Sequence, residues 1–265
     1  MAKFENKTVW ITGASSGIGE ACAYLFAIEK ANLILTATRT DALKMIQEKC
    51  IGLGAHCKIL PFDLSVIDNI PTLVADAFNC FGRIDVLFNN AGISQRGLTA
   101  DTVFEVDKKI MDVNFFAPVF ITKLVLPEML KNGNGTIAVT SSIAGKFGFP
   151  LRSAYSASKH ALYGFFETLQ AEYHNRNIRV VMVCPGFVNT NISMNALEND
   201  GKRHAKLDAG QAGGITAEKA AKKIVNGIYN QKPEVLVGGK ELIMVYIKRF
   251  TPSLSRILAR KIKPS

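Results

Sequence analysis

The chain has 265 residues, of which 48% are hydrophobic and 20% charged, and its formal net charge is +10. This composition suits a globular protein with a sizeable core, and the length allows one or two domains. The basic residues are scattered outside the C-terminal segment and form no aromatic-interleaved motif. We therefore expect no nucleic-acid partner and favour an anionic small molecule.

The first ten residues, MAKFENKTVW, contain no long apolar stretch before a cleavage site, so we expect no signal peptide. No apolar run in the sequence approaches the roughly 18–20 residues that cross a bilayer. The five cysteines lack the spacing of metal ligands, which predicts reduced, buried thiols and no metal site. Together these features predict a cytoplasmic protein.

Short apolar runs rich in β-branched residues recur along the chain and predict strands. They lie at 7–12, 32–37, 57–62, 85–90, 135–141, 178–185 and 234–239. Segments with helical periodicity separate most of them, and nearly continuous apolar runs are expected for strands covered on both faces. The alternation predicts right-handed crossovers and one doubly wound α/β domain with about seven parallel strands.

A glycine-rich turn, TGASSGIG at 12–19, follows the first strand and opens a helix. Its glycines permit a tight turn and close approach to a pyrophosphate, and the helix N-terminus offers free N–H groups. The spacing is a variant of the dinucleotide fingerprint. A turn without a ligand is the alternative. The predicted cofactor-binding residues of the turn are Gly13, Ser15, Ser16, Gly17, Ile18 and Gly19.

The end of the second strand, LILTATRTD, has no acidic residue at its tip. An acid there favours NAD through the ribose 2′-hydroxyl, whereas a basic residue favours NADP through the 2′-phosphate. Arg39 stands just beyond the strand and offers a fork suited to phosphate, with Thr38 beside it. A solvated surface arginine is the alternative. Asp63, after the third strand, is placed to accept from the adenine amine or to cap the next helix.

The stretch RSAYSASKHALYGFFETLQAEY at 152–173 predicts a helix with Tyr155 and Lys159 one turn apart on the same face. Small residues between them leave room for a cofactor against the helix. A cationic lysine and an oxidised nicotinamide ring both favour the phenolate, so we expect the pKa of Tyr155 to fall below its usual value near ~10. We favour an acid–base pair over an incidental neighbour pair, and we assign His160 a structural role because it points away.

The motifs, taken together, resemble the short-chain dehydrogenase/reductase family over roughly residues 6–240. They are TGASSGIG at 12–19, DL at 63–64, NNAG at 89–92, Asn114, Ser142, YSASK at 155–159 and PGFVNT at 185–190. The resemblance implies a Rossmann-type sheet. It implies that Tyr155 is the catalytic acid/base, that Lys159 holds the nicotinamide ribose, that Ser142 binds the substrate oxygen and that Asn114 supports a proton-relay water.

The resemblance also implies further cofactor contacts. Those along the adenosine and ribose are Leu64, Asn90, Ala91 and Gly92, and those along the nicotinamide are Pro185, Gly186, Val188 and Thr190. NADP-preferring members often carry a second basic residue where this chain has Ser16. In this departure from the NADP pattern, Arg39 would hold the 2′-phosphate with hydrogen-bonding help from Thr38. On the strength of Arg39 we expect NADP(H), with NAD(H) as the alternative.

The region 187–215 is long, polar and glycine-containing, and it follows the end of a strand. A loop of this length in a compact domain is usually functional, so we predict a substrate lid, with a surface insertion as the alternative. The aromatic residues at 147–149, Phe187 and Met194 are candidates to line a pocket for an apolar carbonyl substrate. The sequence does not name that substrate.

The last segment, 241–265, interleaves basic and apolar residues after Pro252. Its spacing over 254–263 predicts an amphipathic helix, which either touches an anionic membrane surface weakly or packs over the substrate site or in solvent. We assign 1–240 to the catalytic domain and 241–265 to a C-terminal helical extension. Family members usually form dimers or tetramers, so a homodimer or homotetramer is expected.

The predicted function is NADP(H)-dependent interconversion of a ketone or aldehyde and an alcohol by hydride transfer. From a different class, the alternative is a catalytically silent nucleotide-binding scaffold or sensor with the same fold. The presence of Asn114, Ser142, Tyr155 and Lys159 argues against it.

Overall fold

The computed structural model describes residues 2–260 as one α/β domain. The strands are β1 Thr8–Thr12, β2 Asn32–Ala37, β3 Cys57–Pro61, β4 Val86–Asn89, β5 Gln95–Arg96, β6 Gly135–Thr140, β7 Ile178–Pro185, β8 Val188–Asn189, β9 Leu197–Glu198, β10 Ile215–Thr216 and β11 Glu234–Val237. The α-helices are α1 Gly17–Ile28, α2 Thr40–Gly52, α3 Ile70–Phe81, α4 Phe104–Met111, α5 Ala117–Lys131, α6 Ser153–Tyr173, α7 Ala209–Ala212, α8 Ala217–Tyr229, α9 Ile243–Phe250 and α10 Pro252–Ala259.

The central sheet has seven parallel strands in the order β11-β7-β6-β4-β1-β2-β3. The predicted strands all occur within a few residues of their expected ends, so the doubly wound Rossmann-type prediction is confirmed. The strand order reverses between β1 and β4. In open α/β sheets, ligands bind beyond the carboxyl ends of the strands at such a reversal.

Alternate residues of each inner strand enter two separate cores. Val9 and Ile11 pack with α1 and α8 on one face of the sheet, whereas Trp10 packs with α3, α5 and α6 on the other. Successive side chains of a strand point to opposite faces, so both must be apolar. The buried indole of Trp10 donates to Thr36 Oγ1 at 2.9 Å. All five cysteines are free thiols, four of them buried.

The helix from Phe104 to Lys131 corrects the expectation that no segment is long and apolar enough to cross a membrane. It spans 28 residues through α4, a π-helical turn at Asp112–Phe116 and α5, with a mean hydropathy of 1.5 in its most apolar window. Half of that window is buried inside the fold. Ile121 and Val125 lie in the core beneath the sheet, so this apolar face is used by packing within the domain.

The 187–215 region is tied to the domain at several points. Val188–Asn189 pairs with Ile215–Thr216, and Leu197–Glu198 pairs with Gln95–Arg96, each as a short parallel ladder. This segment therefore forms a wall beside the ends of β4 and β7. Its role as a moving lid stays a prediction.

The C-terminal extension begins as part of the domain. Leu242, Met244 and Val245 pack against a small core around Ile143 and Phe147. The helix predicted over 254–263 occurs as α10, Pro252–Ala259, and a further helix, α9, precedes it. Residues 261–263 of that prediction lie outside the described residues.

Candidate active site

A cleft of about 660 Å³ opens at the carboxyl ends of the central strands. It brings together nearly all of the predicted cofactor residues with Ser142, Tyr155 and Lys159. Two predicted residues, Gly19 and Asn114, are absent from its lining, because they lie behind the wall and support it. Contacts along this wall hold each of the segments that line the cleft in its conformation.

The glycine-rich turn passes close to the strand beside it. Gly13 has φ +66°, and a side chain there would meet Ala91 Cα at 2.7 Å. Both constraints require glycine. At Gly19, in the first turn of α1, a Cβ would overlap the carbonyl oxygen of Gly13. The turn is thus folded against both α1 and the end of β4, and the N-terminus of α1 faces the cleft.

Asn90 fixes that turn to the sheet. Its Nδ2 donates to the carbonyl oxygens of Thr12 and Gly13, both at 3.2 Å, and its Oδ1 accepts from Thr140 Oγ1 at 3.2 Å. The side chain of Asn90 therefore braces three strands. The cleft lining next to it includes Ala91 and Gly92, as predicted.

Arg39 lies at the adenosine end of the cleft and reaches back to the turn. Its Nη2 donates to the Ser15 carbonyl oxygen at 2.8 Å and approaches Ser15 Oγ at 3.3 Å. The guanidinium is exposed beside Thr38. An exposed cation therefore lies in the cleft lining, hydrogen-bonded to the glycine-rich turn.

Asp63 lies on the same side of the cleft, next to Leu64. Its Oδ1 accepts from the backbone N–H of Ser65 at 2.9 Å and from Ser65 Oγ at 2.8 Å. Asp63 does not cap the next helix, as the alternative supposed, because the following helical segments begin only at Ile67 and Ile70. Asp63 instead stabilises a local turn with one oxygen.

Asn114 is buried in the π-helical turn between α4 and α5. Its Oδ1 accepts from the Ile93 N–H and its Nδ2 donates to the Ile93 carbonyl oxygen, each at 2.9 Å. The same Nδ2 lies 3.1 Å from Ser158 Oγ on α6. Asn114 thus joins the cleft wall after β4 to the helix that carries Tyr155.

Ser141 and Ser142 have different partners, as strand alternation predicts. Ser141 Oγ donates to the Lys159 carbonyl oxygen at 2.9 Å and holds α6 against β6. Ser142 Oγ accepts from the Ala144 N–H at 3.1 Å and lies within hydrogen-bonding reach of the Tyr155 hydroxyl. Ser142 is therefore the serine beside the reactive phenol.

Burial raises the pKa of Tyr155 above its ordinary value. The hydrogen bond from Ser142 and the charges of Arg152 and Arg96 oppose that rise without cancelling it. The expected fall in pKa is absent in the protein alone, because desolvation of the phenolate outweighs these three groups. At neutral pH the hydroxyl is protonated and can donate a proton.

Lys159 is 3% exposed, and its Nζ donates to the Thr140 carbonyl oxygen at 2.8 Å. Burial lowers its pKa from 10.5 to about 7. The ammonium lies 5.8 Å from the centre of the Tyr155 ring. It is also close to Gly92, where a Cβ would lie 3.3 Å from Nζ.

The nicotinamide-side loop after β7 is held by a residue that the sequence analysis missed. Glu241 Oε1 accepts from the N–H groups of Phe187 and Gly239, at 2.8 and 2.9 Å. A side chain at Gly186 would overlap the Glu241 carboxylate. In the sequence, the one feature that distinguishes Glu241 is that it is the single acidic residue of the basic segment 241–265. Thr190 stands near the turn, against Gly17.

A second missed group lies at the other end of the cleft, near Tyr155. Arg96 and Arg152 are both buried and both donate to Oδ2 of Asp208, Arg152 at 3.0 Å. Asp208 comes from the 187–215 segment, so this cluster ties that segment to the cleft wall. Arg152 opens the sequence stretch that contains Tyr155, but contact with a residue more than fifty positions away leaves no local pattern.

The predicted aromatic lining is correct for two residues. Phe149 and Phe187 line the cleft, whereas Phe147 is core and Met194 lies outside the lining. His160 is exposed, and its Nδ1 lies 2.8 Å from the Ser156 carbonyl oxygen on its own helix. That contact agrees with the structural role assigned to it.

Comparison with known proteins decides the family. The family model described as short chain dehydrogenase matches residues 7–201. The chain belongs to the short-chain dehydrogenase/reductase (SDR) family. It is an SDR oxidoreductase by this membership, and the family resemblance drawn from its motifs is confirmed.

Relatives match along nearly the whole chain. "Dehydrogenase/reductase SDR family member 7B" of Mus musculus is 40% identical over 266 residues, covering 98% of this chain and 82% of the relative. "Dehydrogenase/reductase SDR family protein 7-like" of Drosophila melanogaster is 40% identical over 261 residues, covering 95% and 80%. These relatives place the chain among the dehydrogenase/reductases.

Solved structures share the fold. An SDR of Burkholderia phymatum in complex with NAD has a TM-score of 0.84 at 24% identity, covering 100% of this chain and 98% of that one. This likeness concerns the fold alone. A metagenomic short-chain oxidoreductase in complex with NADP has a TM-score of 0.73 at 27% identity, covering 89% and 98%.

The buried ammonium of Lys159 predicts a pH-dependent stability. Between pH 7 and 10.5 the unfolded chain binds one proton more than the native protein at this residue, so the free energy of unfolding rises with pH. Between pH 7 and pH 9, we expect the free energy of unfolding of wild type to rise by about 2–3 kcal/mol more than that of Lys159→Met. Urea denaturation at both pH values measures this difference.

Loss of the hydrogen bond to Thr140 in Lys159→Met is independent of pH, so it cancels from the difference between the two pH values. Lys123→Met removes an exposed lysine of α5 and should follow the wild-type profile. If wild type and Lys159→Met change in parallel with pH, then Lys159 is already a normal, charged lysine in the native protein.

Proposed function

We propose that this SDR enzyme is an NADP(H)-dependent oxidoreductase that interconverts a ketone or aldehyde and an alcohol. The observation that carries the proposal is the constellation of Tyr155, Ser142 and Lys159 at the carboxyl end of the sheet, beside a glycine-rich turn in the same cleft.

A reduced nicotinamide nucleotide held along the glycine-rich turn and beside Lys159 would supply the hydride for reduction of the carbonyl carbon. Tyr155 donates its proton to the carbonyl oxygen, and Ser142 donates a hydrogen bond that stabilises the charge developing there. The products are the alcohol and the oxidised nucleotide. The raised pKa of Tyr155 suits it as a proton donor. In the oxidative direction it must lose that proton first, and a bound oxidised nicotinamide ring would favour the loss.

The preference for NADP(H) is supported by the charge at the adenosine end of the cleft. Arg39 is exposed and hydrogen-bonded to Ser15, so its guanidinium is held at the mouth of the turn. A phosphate bridging Arg39 and Ser15 would gain a charge-assisted hydrogen bond. The carboxylate of Asp63 lies on the same side of the cleft, after the neighbouring strand β3, and it accepts from Ser65. NAD(H) stays the alternative.

A fluorescence titration with NADPH and NADH in parallel tests the cofactor proposal. We expect NADPH to bind more tightly, and Arg39→Ala to weaken NADPH about 10-fold or more while changing NADH much less, because hydrogen bonds to charged groups contribute about 1.5–3 kcal/mol. The exposed arginine Arg176 lies outside the cleft lining, and Arg176→Ala is the matched control. Tighter binding of NADH by wild type would reverse the assignment.

Tyr155→Phe separates catalysis from nucleotide binding. The variant keeps the buried ring and loses only the hydroxyl, so we expect at least a hundredfold loss of kcat, following the typical contribution of ~10²–10⁴ from a proton donor. Binding of NADPH, measured by fluorescence, should change little. Unchanged turnover would remove Tyr155 from the mechanism, and a wild type that binds nucleotide but reduces no carbonyl would favour the scaffold alternative.

We also propose that α9 and α10 touch anionic membrane surfaces. Tyr246 and Phe250 are exposed at helical spacing on α9, and Leu254 and Ile257 are exposed at helical spacing on α10. The exposed basic residues Arg249 and Arg256 lie on the same two helices. An apolar stripe flanked by cations suits the interface of an anionic bilayer. The cytoplasmic location and the homodimer or homotetramer stay predictions.

Vesicle co-sedimentation tests this membrane proposal. We expect the full chain to pellet with phosphatidylserine-containing vesicles more than with phosphatidylcholine vesicles, and Phe250→Asp to lower the pelleted fraction severalfold, because it places a charge in the apolar stripe. Phe104→Asp changes an equally exposed phenylalanine, 70% against 74% exposed, on α4 and is the control. Equal pelleting of wild type and Phe250→Asp would contradict the proposal.

A further inference from the structure

The end of the cleft beside Tyr155 is strongly cationic. Arg96 and Arg152 act on the Tyr155 hydroxyl through their charges, and Lys109 and Arg203 also line the cleft. Among the described residues, the carboxylate in the cleft lining is Asp63, which lies at the adenosine end. A neutral apolar ketone would form no ion pair with these cations.

The two buried arginines share one carboxylate. Arg96 and Arg152 are 6% and 8% exposed, and both donate to Oδ2 of Asp208, which is 3% exposed. Removing ions from water is costly unless opposite charge and hydrogen bonds replace the solvent. One carboxylate balances one guanidinium. His204 lies 2.9 Å from Glu198 Oε1 and 3.4 Å from the other oxygen of Asp208, and the ion pairs of Arg96 and Arg152 within residues 2–260 are those to Asp208.

Of the two arginines, Arg152 uses fewer of its guanidinium N–H groups in hydrogen bonds within residues 2–260. Arg96 also donates to Ser94 Oγ and to the Gln95 carbonyl oxygen, so its fork is nearly satisfied. Within residues 2–260, the hydrogen bond recorded for the Arg152 guanidinium is the one to Asp208. A guanidinium has five N–H donors. Arg152 lines the cleft, and the ring of Phe149, also in the lining, lies 5.5 Å from Arg152 Cζ.

The backbone holds Arg152 in place at the start of α6. Leu151, immediately before it, has φ +61°, a left-handed conformation that costs energy for a branched side chain. The Gly97 N–H donates to the Leu151 carbonyl oxygen at 3.1 Å and secures that conformation. Arg152 is the residue immediately before α6, which carries Tyr155, and its charge acts on the Tyr155 hydroxyl.

We propose that Arg152, supported by Arg96 and Asp208, binds a carboxylate or phosphate group of the substrate, so that the enzyme prefers carbonyl compounds bearing an oxyanion a short spacer from the reacting carbon. A guanidinium fork matches the paired oxygens of either anion. The anion is unchanged in the reaction and sets the position of the carbonyl against Tyr155. The inference rests on the proposed carbonyl reduction and adds its substrate class.

Matched pairs of small ketones test this specificity with the nicotinamide nucleotide that the titration favours. For carboxylate, the pair is 4-oxopentanoate and its methyl ester; for phosphate, it is hydroxyacetone phosphate and hydroxyacetone. We expect higher kcat/KM for the anionic member of at least one pair. The pair with the larger preference identifies the anion. Arg152→Met should lower the ratio of kcat/KM for the anion to kcat/KM for its neutral partner about 10- to 100-fold. Any effect of the variant on Tyr155 acts on both members of a pair and cancels from this ratio.

The controls separate a positioning role from loss of fold. Arg176→Met, outside the cleft, should leave both pairs unchanged. Arg203→Met removes an exposed cation of the same cleft and should give a smaller, salt-sensitive loss for anions only. Arg152→Lys, which keeps charge without the fork, should recover part of the anion preference. Equal kcat/KM for anionic and neutral members in wild type would overturn the inference and leave the proposed function standing.

A binding measurement covers the case in which none of these ketones is turned over. Fluorescence of the bound reduced nucleotide is titrated with 4-oxopentanoate and with hydroxyacetone phosphate. Saturable binding that Arg152→Met weakens at least 10-fold supports the anion site even if carbonyl reduction is absent. If neither anion binds, or if both bind wild type and Arg152→Met equally, the inference is overturned.

Discussion

The inner strands of the central sheet send alternate side chains into two cores, as Val9, Trp10 and Ile11 show. Neither face of the sheet is left for a ligand, so the edge formed by the strand ends must provide the site. Because all seven strands are parallel, that edge collects the end of every strand. The reversal of strand order between β1 and β4 opens it into the cleft.

Hydrogen bonds between β6 and α6 turn this edge into a reactive site. The Lys159 ammonium donates to the Thr140 carbonyl oxygen, and Ser141 donates to the Lys159 carbonyl oxygen. These contacts fix the helix so that Tyr155 lies beside Ser142. The arrangement is costly, because burial disfavours the charged forms of both Tyr155 and Lys159. A bound nucleotide would supply polar partners to both groups. Cofactor binding would then be coupled to the stability of the protein and to its dependence on pH.

The two ends of the cleft carry different kinds of positive charge. Arg39 is exposed and hydrogen-bonded to the turn, so solvent screens the interaction between its charge and a ligand. Arg152 is buried and shares a carboxylate with Arg96, so its charge is only partly balanced. A charge held away from water interacts more strongly than an exposed one. The inner arginine therefore has the greater capacity to select a substrate, and Asp208 couples that selection to the 187–215 segment.

Ser142 and Asn114 were assigned through the motifs that resemble the SDR family. The sequence by itself determined the order of the seven sheet strands along the chain, the dinucleotide turn and the pairing of Tyr155 with Lys159. These depend on local patterns: apolar periodicity, glycine spacing and residues one helical turn apart. Only the tertiary structure decided the direction in which the pKa of Tyr155 shifts, because desolvation depends on everything packed around the phenol. It also decided the contacts of Glu241, Arg96, Arg152 and Asp208. Each joins chain segments far apart in sequence, and such contacts follow no short-range periodicity.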